Sequence, residues 1–231
     1  MKIQILKTGS SGNCYLLSTD SQTLIIDCGV KLAEIKKGLK FDVKRIVGCI
    51  VSHSHKDHSL CKEKLANMGC DIFAPYELGE IDRAHTTLGD FNITAFSVPH
   101  DDEKNFGFLI EVAGQKILYL TDFEYCRYRF KKQNLNHILI ECNYQEENLD
   151  SLAPNYKHKI KGHCSLSTCV DFIGVNATDS LRTVLLIHMG SGIEDPMECV
   201  REVKKVAKNA SVQYARAGME IELKTDDCPF M

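Results

Sequence analysis

Four strong ligands for a divalent metal stand within six residues, in His53-Ser54-His55-Lys56-Asp57-His58. Imidazole and carboxylate together suit zinc, manganese or iron, and ligands that alternate along a turn can face one ion or two. A helical His-Glu-x-x-His pair would be a different geometry, and the chain has none. Three of the nine histidines fall in this hexapeptide, a concentration unlike that of a merely solvated polar loop. Residues of the same chemistry recur singly at His100, Asp122, Glu141, His163 and His188. Alone, each of these histidines reads more readily as a core or surface residue, and Asp122 as a turn residue. Their positions along the chain separate them from that background.

Polar, metal-competent residues stand where apolar strands stop. The near-continuous apolar run Ile46 to Ser52 marks a buried strand and empties into His53. The alternating run Phe91 to Val98 ends at Pro99-His100. A hairpin of Phe106 to Val112 and Lys116 to Leu120, turned at Gly114-Gln115, ends at Thr121-Asp122. Ile138 to Ile140 ends at Glu141, and Thr183 to Ile187 ends at His188. Strand ends on one rim of a core converge in space across large sequence separations, so the pattern describes a site. Earlier strands are predicted at Lys2 to Lys7, Cys14 to Thr19 and Thr23 to Asp27. Helices are predicted over 31–39 (ended by Gly38), 59–68 (stopping at Gly69), 165–174 and 195–207. His85, His137 and His158 read as structural or exposed, and Asp101 and Asp102 as a loop.

The 231 residues suit one domain, 1–231, with no linker, repeat or low-complexity tract. Apolar residues at 44% and charged residues at 26% argue against disorder. A formal net charge of −3 disfavours bulk polyanion binding through overall charge. No apolar stretch approaches 18 residues, and Met1 to Lys7 contains no long apolar signal core, so a cytoplasmic location with no membrane contact is expected. Eleven cysteines, odd in number and without a CxxC pair, read as reduced small hydrophobes.

The run His-x-His-x-Asp-His after a buried strand resembles the signature of the metallo-β-lactamase fold superfamily. His100, Asp122 and His188 are similar to its later motifs and follow in the same order. The resemblance implies an α/β fold, a four-layer αββα sandwich, with a dinuclear metal site at one edge. It implies that His53, His55 and His100 hold one metal, that Asp57, His58 and His188 hold the other, and that Asp122 bridges them. Glu141 with Asn143, and Gly162-His163-Cys164-Ser165, resemble segments of the nuclease branch, which includes tRNase Z and the YycJ/WalJ-like proteins. Gly9-Ser10-Ser11-Gly12-Asn13 is similar to the opening of the latter. Tyr144 stands where those relatives often have a histidine. With Asp122 at the bridging position and no signal peptide, antibiotic hydrolysis is not expected.

The function implied is hydrolysis of nucleic-acid phosphodiesters, DNA or RNA, by a hydroxide bridging two divalent ions, zinc or manganese, with iron also acceptable to such ligands. Asp57, His163 and Glu141 are the candidate catalytic residues, with His163, oriented by Glu141, as general acid. In the alternative, Glu141 only orients a ligand histidine. Ser11, Asn13, Asn143, Ser165 and Lys161 are candidate substrate contacts, although Ser165 also fits a helix N-cap and the Gly9–Asn13 loop a simple turn. Lys157, Lys159 and Lys161 just before His163, and the run Arg127 to Lys132, are the basic segments available to phosphates. The rival readings are a hydrolase for thioesters, lactones or cyclic nucleotides, an oxygen-binding di-iron protein, and a non-enzymatic regulator.

Overall fold

The structure, a computed structural model, describes residues 1–224. Thirteen strands among these residues form two sheets. The first takes β1 (Lys2–Lys7), β2 (Cys14–Ser18), β3 (Thr23–Ile26), β4 (Ile46–Ile50), β5 (Ile72–Phe73) and β13 (Glu220–Glu222), in the order β13-β1-β2-β3-β4-β5. The second takes β6 (Arg83–Leu88), β7 (Phe91–His100), β8 (Glu103–Val112), β9 (Gln115–Leu120), β10 (His137–Glu141), β11 (Thr183–Ile187) and β12 (Ser211–Tyr214), in the order β12-β11-β10-β9-β8-β7-β6. Each sheet mixes antiparallel and parallel pairs: β3, β4 and β5 run parallel, as do β9, β10, β11 and β12.

Alternation along the strands assigns the layers. In β9, Ile117 and Tyr119 face the other sheet and pack with Ile5, Tyr15, Leu17 and Ile26. Their neighbours Leu118 and Leu120 face outward, against Cys169, Phe172 and Ile173 of α5 (Leu166–Asn176) and Cys199 and Val203 of α6 (Pro196–Val206). On the far side, Leu16, Ile25, Cys49 and Val51 meet Ile35 of α1 (Leu32–Gly38) and Leu65 of α3 (Lys62–Asn67). The stack is helix, sheet, sheet, helix, as expected. Eight of the ten cysteines among the described residues are buried free thiols, and they sit in the two outer apolar layers as small packing residues. No helix of the described residues is long and apolar enough to cross a membrane.

Several elements differ from the sequence reading, and the short strands β5, β12 and β13 were not expected. The helix expected over 59–68 is two pieces, α2 (Lys56–Ser59) and α3, so Asp57 and His58 lie on a helical turn rather than in a loop. Strand β6 was not expected, because Arg83-Ala84-His85-Thr86-Thr87 is a polar, mostly exposed edge. Helix α4 (Tyr156–Gly162) was missed because its lysines leave no apolar stripe. Strands β7 and β8 extend beyond the expected runs, to His100 and back to Glu103.

Candidate metal centre

Parallel β3 and β4, and parallel β9, β10 and β11, bring their C-terminal ends to one rim. There the chain turns sharply: Asp27, Asp122 and His188 all hold left-handed backbone, with φ of 53°, 50° and 48°. Non-glycine residues in that conformation carry strain and cluster at functional sites. Asn105 stabilises one of these turns, since its amide Nδ2 donates to the carbonyls of Thr121 (2.8 Å) and Asp122 (2.5 Å). At another, the His188 amide donates to Thr8 Oγ1 at 2.9 Å.

Three groups of ligand atoms result. His53, His55, His100 and Asp122 form one, and Asp57, His58, Asp122 and His188 a second. Asp122, Glu141, His163 and His188 form a third, so Asp122 belongs to all three. The Asp122 carboxylate oxygen Oδ2 lies 3.4 Å from His53 Nε2 and 3.1 Å from His58 Nε2, while Oδ1 contacts His188 Nδ1. His55 Nδ1 stands 3.1 Å from His53 Nε2 and 3.3 Å from His100 Nε2.

The opposite edges of these rings are engaged by the protein. His53 Nδ1 meets Ser52 Oγ at 3.0 Å, His58 Nδ1 meets Asp27 Oδ2 at 2.7 Å, and His100 Nδ1 donates to the Gly162 carbonyl at 2.6 Å. A neutral imidazole that donates through Nδ1 presents a lone pair at Nε2. At His53 and His100, whose charged forms burial disfavours, such lone pairs converge on His55 and the Asp122 carboxylate and repel, and a cation among them converts the repulsion into coordination. His188 Nε2 is buried without a hydrogen-bond partner and lies 3.9 Å from Asp57 Oδ2. The donor set therefore fits divalent cations, with Asp122 common to all three ligand groups.

The titration behaviour follows from the same crowding. Burial pushes His53 well below the usual histidine range, with His58 adding to the effect. For His58 burial opposes charge, but Asp122 and Asp27 outweigh it and raise the pKa well above that range. His188 is likewise raised, to about 10, because Asp122 and then Glu141 overcome its burial. Asp122 is held well below the ordinary carboxylate range against burial, chiefly by His188 and His58.

Glu141, fully buried, is the hub behind the ligands. Its Oε1 accepts from His163 Nδ1 and His188 Nδ1, both at 2.8 Å, and from Asn143 Nδ2 at 3.2 Å. Its Oε2 accepts the amides of Phe123 (3.2 Å) and Cys164 (3.0 Å). His163 stays 11% exposed, with Nδ1 3.9 Å from Asp122 Oδ1.

The remaining sequence candidates divide by orientation. Asn13 turns inward, with Oδ1 accepting the Gly9 amide (2.9 Å) and Nδ2 2.9 Å from His58 Nε2. Asn143 Nδ2 also reaches the His188 carbonyl at 3.1 Å. Ser165 caps α5, accepting the Thr168 amide at 3.1 Å. Ser11 and Lys161 are exposed, outside the ligand groups. Sequence reasoning missed Asp27, whose Oδ2 holds His58, the Tyr119 hydroxyl (2.6 Å) and Ser52 Oγ (3.1 Å). Its signal was available, since it too follows an apolar strand.

Residues 5–70 match the family model described as anti-Pycsar protein Apyc1. The chain is 23% identical over 224 residues to the exodeoxyribonuclease YycJ of Bacillus anthracis, covering 82% of each chain. Among solved structures it is similar to the metallo-β-lactamase fold protein YhfI from Bacillus subtilis, with a TM-score of 0.72 at 17% identity over 95% of this chain and 98% of that one. It is also similar to the short form of human tRNase Z, with a TM-score of 0.63 at 14% identity over 97% and 100%. The two-sheet stack and these likenesses agree: the chain has the metallo-β-lactamase fold and resembles the YycJ/WalJ-like proteins.

Proposed function

We propose that the chain is a metal-dependent hydrolase that cleaves phosphodiester bonds of nucleic acid at two divalent ions, zinc or manganese. His53, His55, His100 and Asp122 would hold one ion, and Asp57, His58, His188 and Asp122 the other. When bound, such ions offset phosphate charge and make hydroxide available at neutral pH.

The observation that carries the reading is the Glu141 carboxylate, which grips a ligand-group histidine and His163 through the same oxygen. His163 is thereby held beside Asp122 with Nε2 left for a substrate. Burial works against its charged form, but Glu141 outweighs burial and raises its pKa. A proton held at Nε2 is then available to the leaving alkoxide, whose own high pKa makes that help valuable. Asp122 stays ionised and Asn105 fixes its backbone. The similarity to an exodeoxyribonuclease and to a tRNase Z supports nucleic acid as substrate.

The test is degradation of end-labelled single-stranded DNA and RNA by manganese-reconstituted protein, beside Asp122→Ala prepared identically. Cleavage lost in the variant is the expected result, while equal cleavage by both would mean a contaminant. No cleavage by metallated wild type would move the substrate to small phosphodiesters or thioesters. His163→Ala should slow an ordinary phosphodiester far more than a nitrophenyl ester. An equal loss on both would remove the proton-donor role.

A further inference from the structure

Along β7 and β8, beside the turn that follows His100, lies a cavity of about 300 Å³, lined by Ile81, Val98, Pro99, Glu103, Phe106 and Tyr125 among others. Three contacts link its lining to the segments that carry the site. Pro99 precedes the ligand-group residue His100, and its carbonyl accepts the Glu124 amide at 2.9 Å. Asn105, also in the cavity wall, holds the carbonyl of Asp122. Ser54, between His53 and His55, donates to Glu103 Oε2 at 3.2 Å. The cavity wall and the segments that carry the ligand groups are thus tied together at three points.

The lining suits an uncharged ring rather than a phosphate. Its cations are already paired, Arg127 with Asp82 at 2.7 Å and Lys104 with Glu80 at 2.5 Å. The Val98, Pro99 and Phe106 surface is apolar, while Glu103 offers a carboxylate to ring N–H groups. Tyr125, three residues after Asp122, is 53% exposed and makes no side-chain hydrogen bond or ring contact among the described residues. The same segment is pinned on either side of it by buried Phe123 and Phe130, with the Phe130 amide donating to Asn176 Oδ1 at 2.5 Å. Tyr125 also walls a second cavity of about 340 Å³ with Arg129 and Phe172, so the residue borders open space on two sides of its segment.

The geometry points to a nucleobase site: the cavity receives the base of a nucleotide next to the scissile phosphate, stacked on Tyr125. This assignment rests on the phosphodiesterase reading above and names the part of the substrate that reading leaves open. Base–aromatic stacking tolerates all four bases because each has a π-face. A nuclease using it would bind strands without strict sequence preference.

The test compares metal-loaded wild type, Tyr125→Ala and Tyr125→Phe on an octanucleotide and on the same strand lacking its terminal bases. Tyr125→Ala should raise KM for the intact strand roughly 5- to 150-fold with kcat within about twofold, the range that stacking supports. It should leave the abasic strand unchanged, and Tyr125→Phe should match wild type, since the ring and not the hydroxyl does the stacking. The chain has no tryptophan, so Tyr125→Trp adds a single indole that can be excited apart from the remaining tyrosines. Its emission should be quenched by a phosphorothioate octanucleotide and not by an abasic one. Quenching by a mononucleotide as well would keep the base site and shift its occupant from a strand to a free nucleotide. Equal KM changes on both strands, or no change on either, would overturn the assignment. Wild type that cleaves strands while Tyr125→Ala is unaffected sinks only this inference. Wild type that neither binds nor cleaves strands sinks the nuclease reading with it.

Discussion

At the scale of single residues, the carboxylates behind the histidines decide how well the site holds metal. Asp27 accepts four hydrogen bonds, from His58 Nδ1, the Tyr119 hydroxyl, Ser52 Oγ and the Ser52 amide at 2.8 Å. Asparagine there keeps one acceptor oxygen and turns the other into a donor, which cannot receive His58. Such partners of ligand histidines are worth about 10- to 100-fold in metal affinity. On the proposed two-ion arrangement, Asp27→Asn is expected to lose metal by that factor at the His58 group while the His53, His55 and His100 group retains it. Metal content after dialysis against a graded chelator would show one ion leaving early; simultaneous loss of both would contradict the expectation. A second outcome follows from the raised pKa of His58 and the value of about 10 at His188. Below those values the metal-free rings hold protons that binding must displace, so affinity rises with pH and protons are released. Calorimetry in buffers of different ionisation enthalpy would detect the release, and buffer-independent heats would refute it. The candidate ligands, whose atoms the structure brings together, were legible in the sequence because four stand within six residues and the rest end apolar runs. Asp27 carries the same mark, but its importance depends on a histidine 31 residues away, and no local pattern encodes that distance.

At the scale of elements, the metal loop is held by backbone contacts as much as by side chains. The Cys28 amide donates to the His58 carbonyl and the Asn13 amide to the Asp57 carbonyl, both at 2.7 Å. Gly29 lies so close to α2 that a Cβ there would fall 1.6 Å from the Asp57 carbonyl oxygen and 2.8 Å from the His58 amide nitrogen. These neighbours are backbone and cannot rotate away, so the helical turn bearing Asp57 and His58 must shift. Overpacking of this kind costs about 3 kcal/mol or more. Gly29→Ala should therefore lower Tm by roughly 6–12 °C for a chain of this size and weaken metal retention. A variant with wild-type Tm and metal content would show that the loop has slack the structure does not reveal. The elements that escaped sequence reading share a physical cause. β6 is an edge strand supported on one side by β7, and α4 buries only Gly162. Where tertiary contact rather than amphipathic pattern forms an element, periodicity has nothing to detect.

At the scale of the whole molecule, the two ends of the second sheet have opposite electrostatic needs. The C-terminal rim gathers carboxylates and histidines, while the N-terminal end of β10 buries His137 beside Gln115 and Thr183. His137 Nε2 reaches Gln115 Oε1 at 3.3 Å, and Nδ1 is buried without a partner. Burial, followed by the charge of Arg182, lowers its pKa to about 4. In the unfolded chain an ordinary histidine takes up its proton near 6.5. Above pH 6.5 neither state is protonated there and His137 leaves stability unaffected by pH. As pH falls from 6.5 towards 4 the unfolded state binds the proton first, and stability declines. The full difference is worth about 3 kcal/mol, reached once the folded protein is protonated as well. Replacing His137 with Gln, which keeps a polar reach toward Gln115 and cannot take up a proton, should flatten the fall in stability between pH 6.5 and 4. Denaturant midpoints for metal-free wild type and His137→Gln across that window supply the comparison. Their difference should narrow by about 3 kcal/mol from the upper end to the lower. A difference constant with pH would mean that His137 is protonated at the same pH folded and unfolded, and that the acid sensitivity of the fold lies at the metal rim.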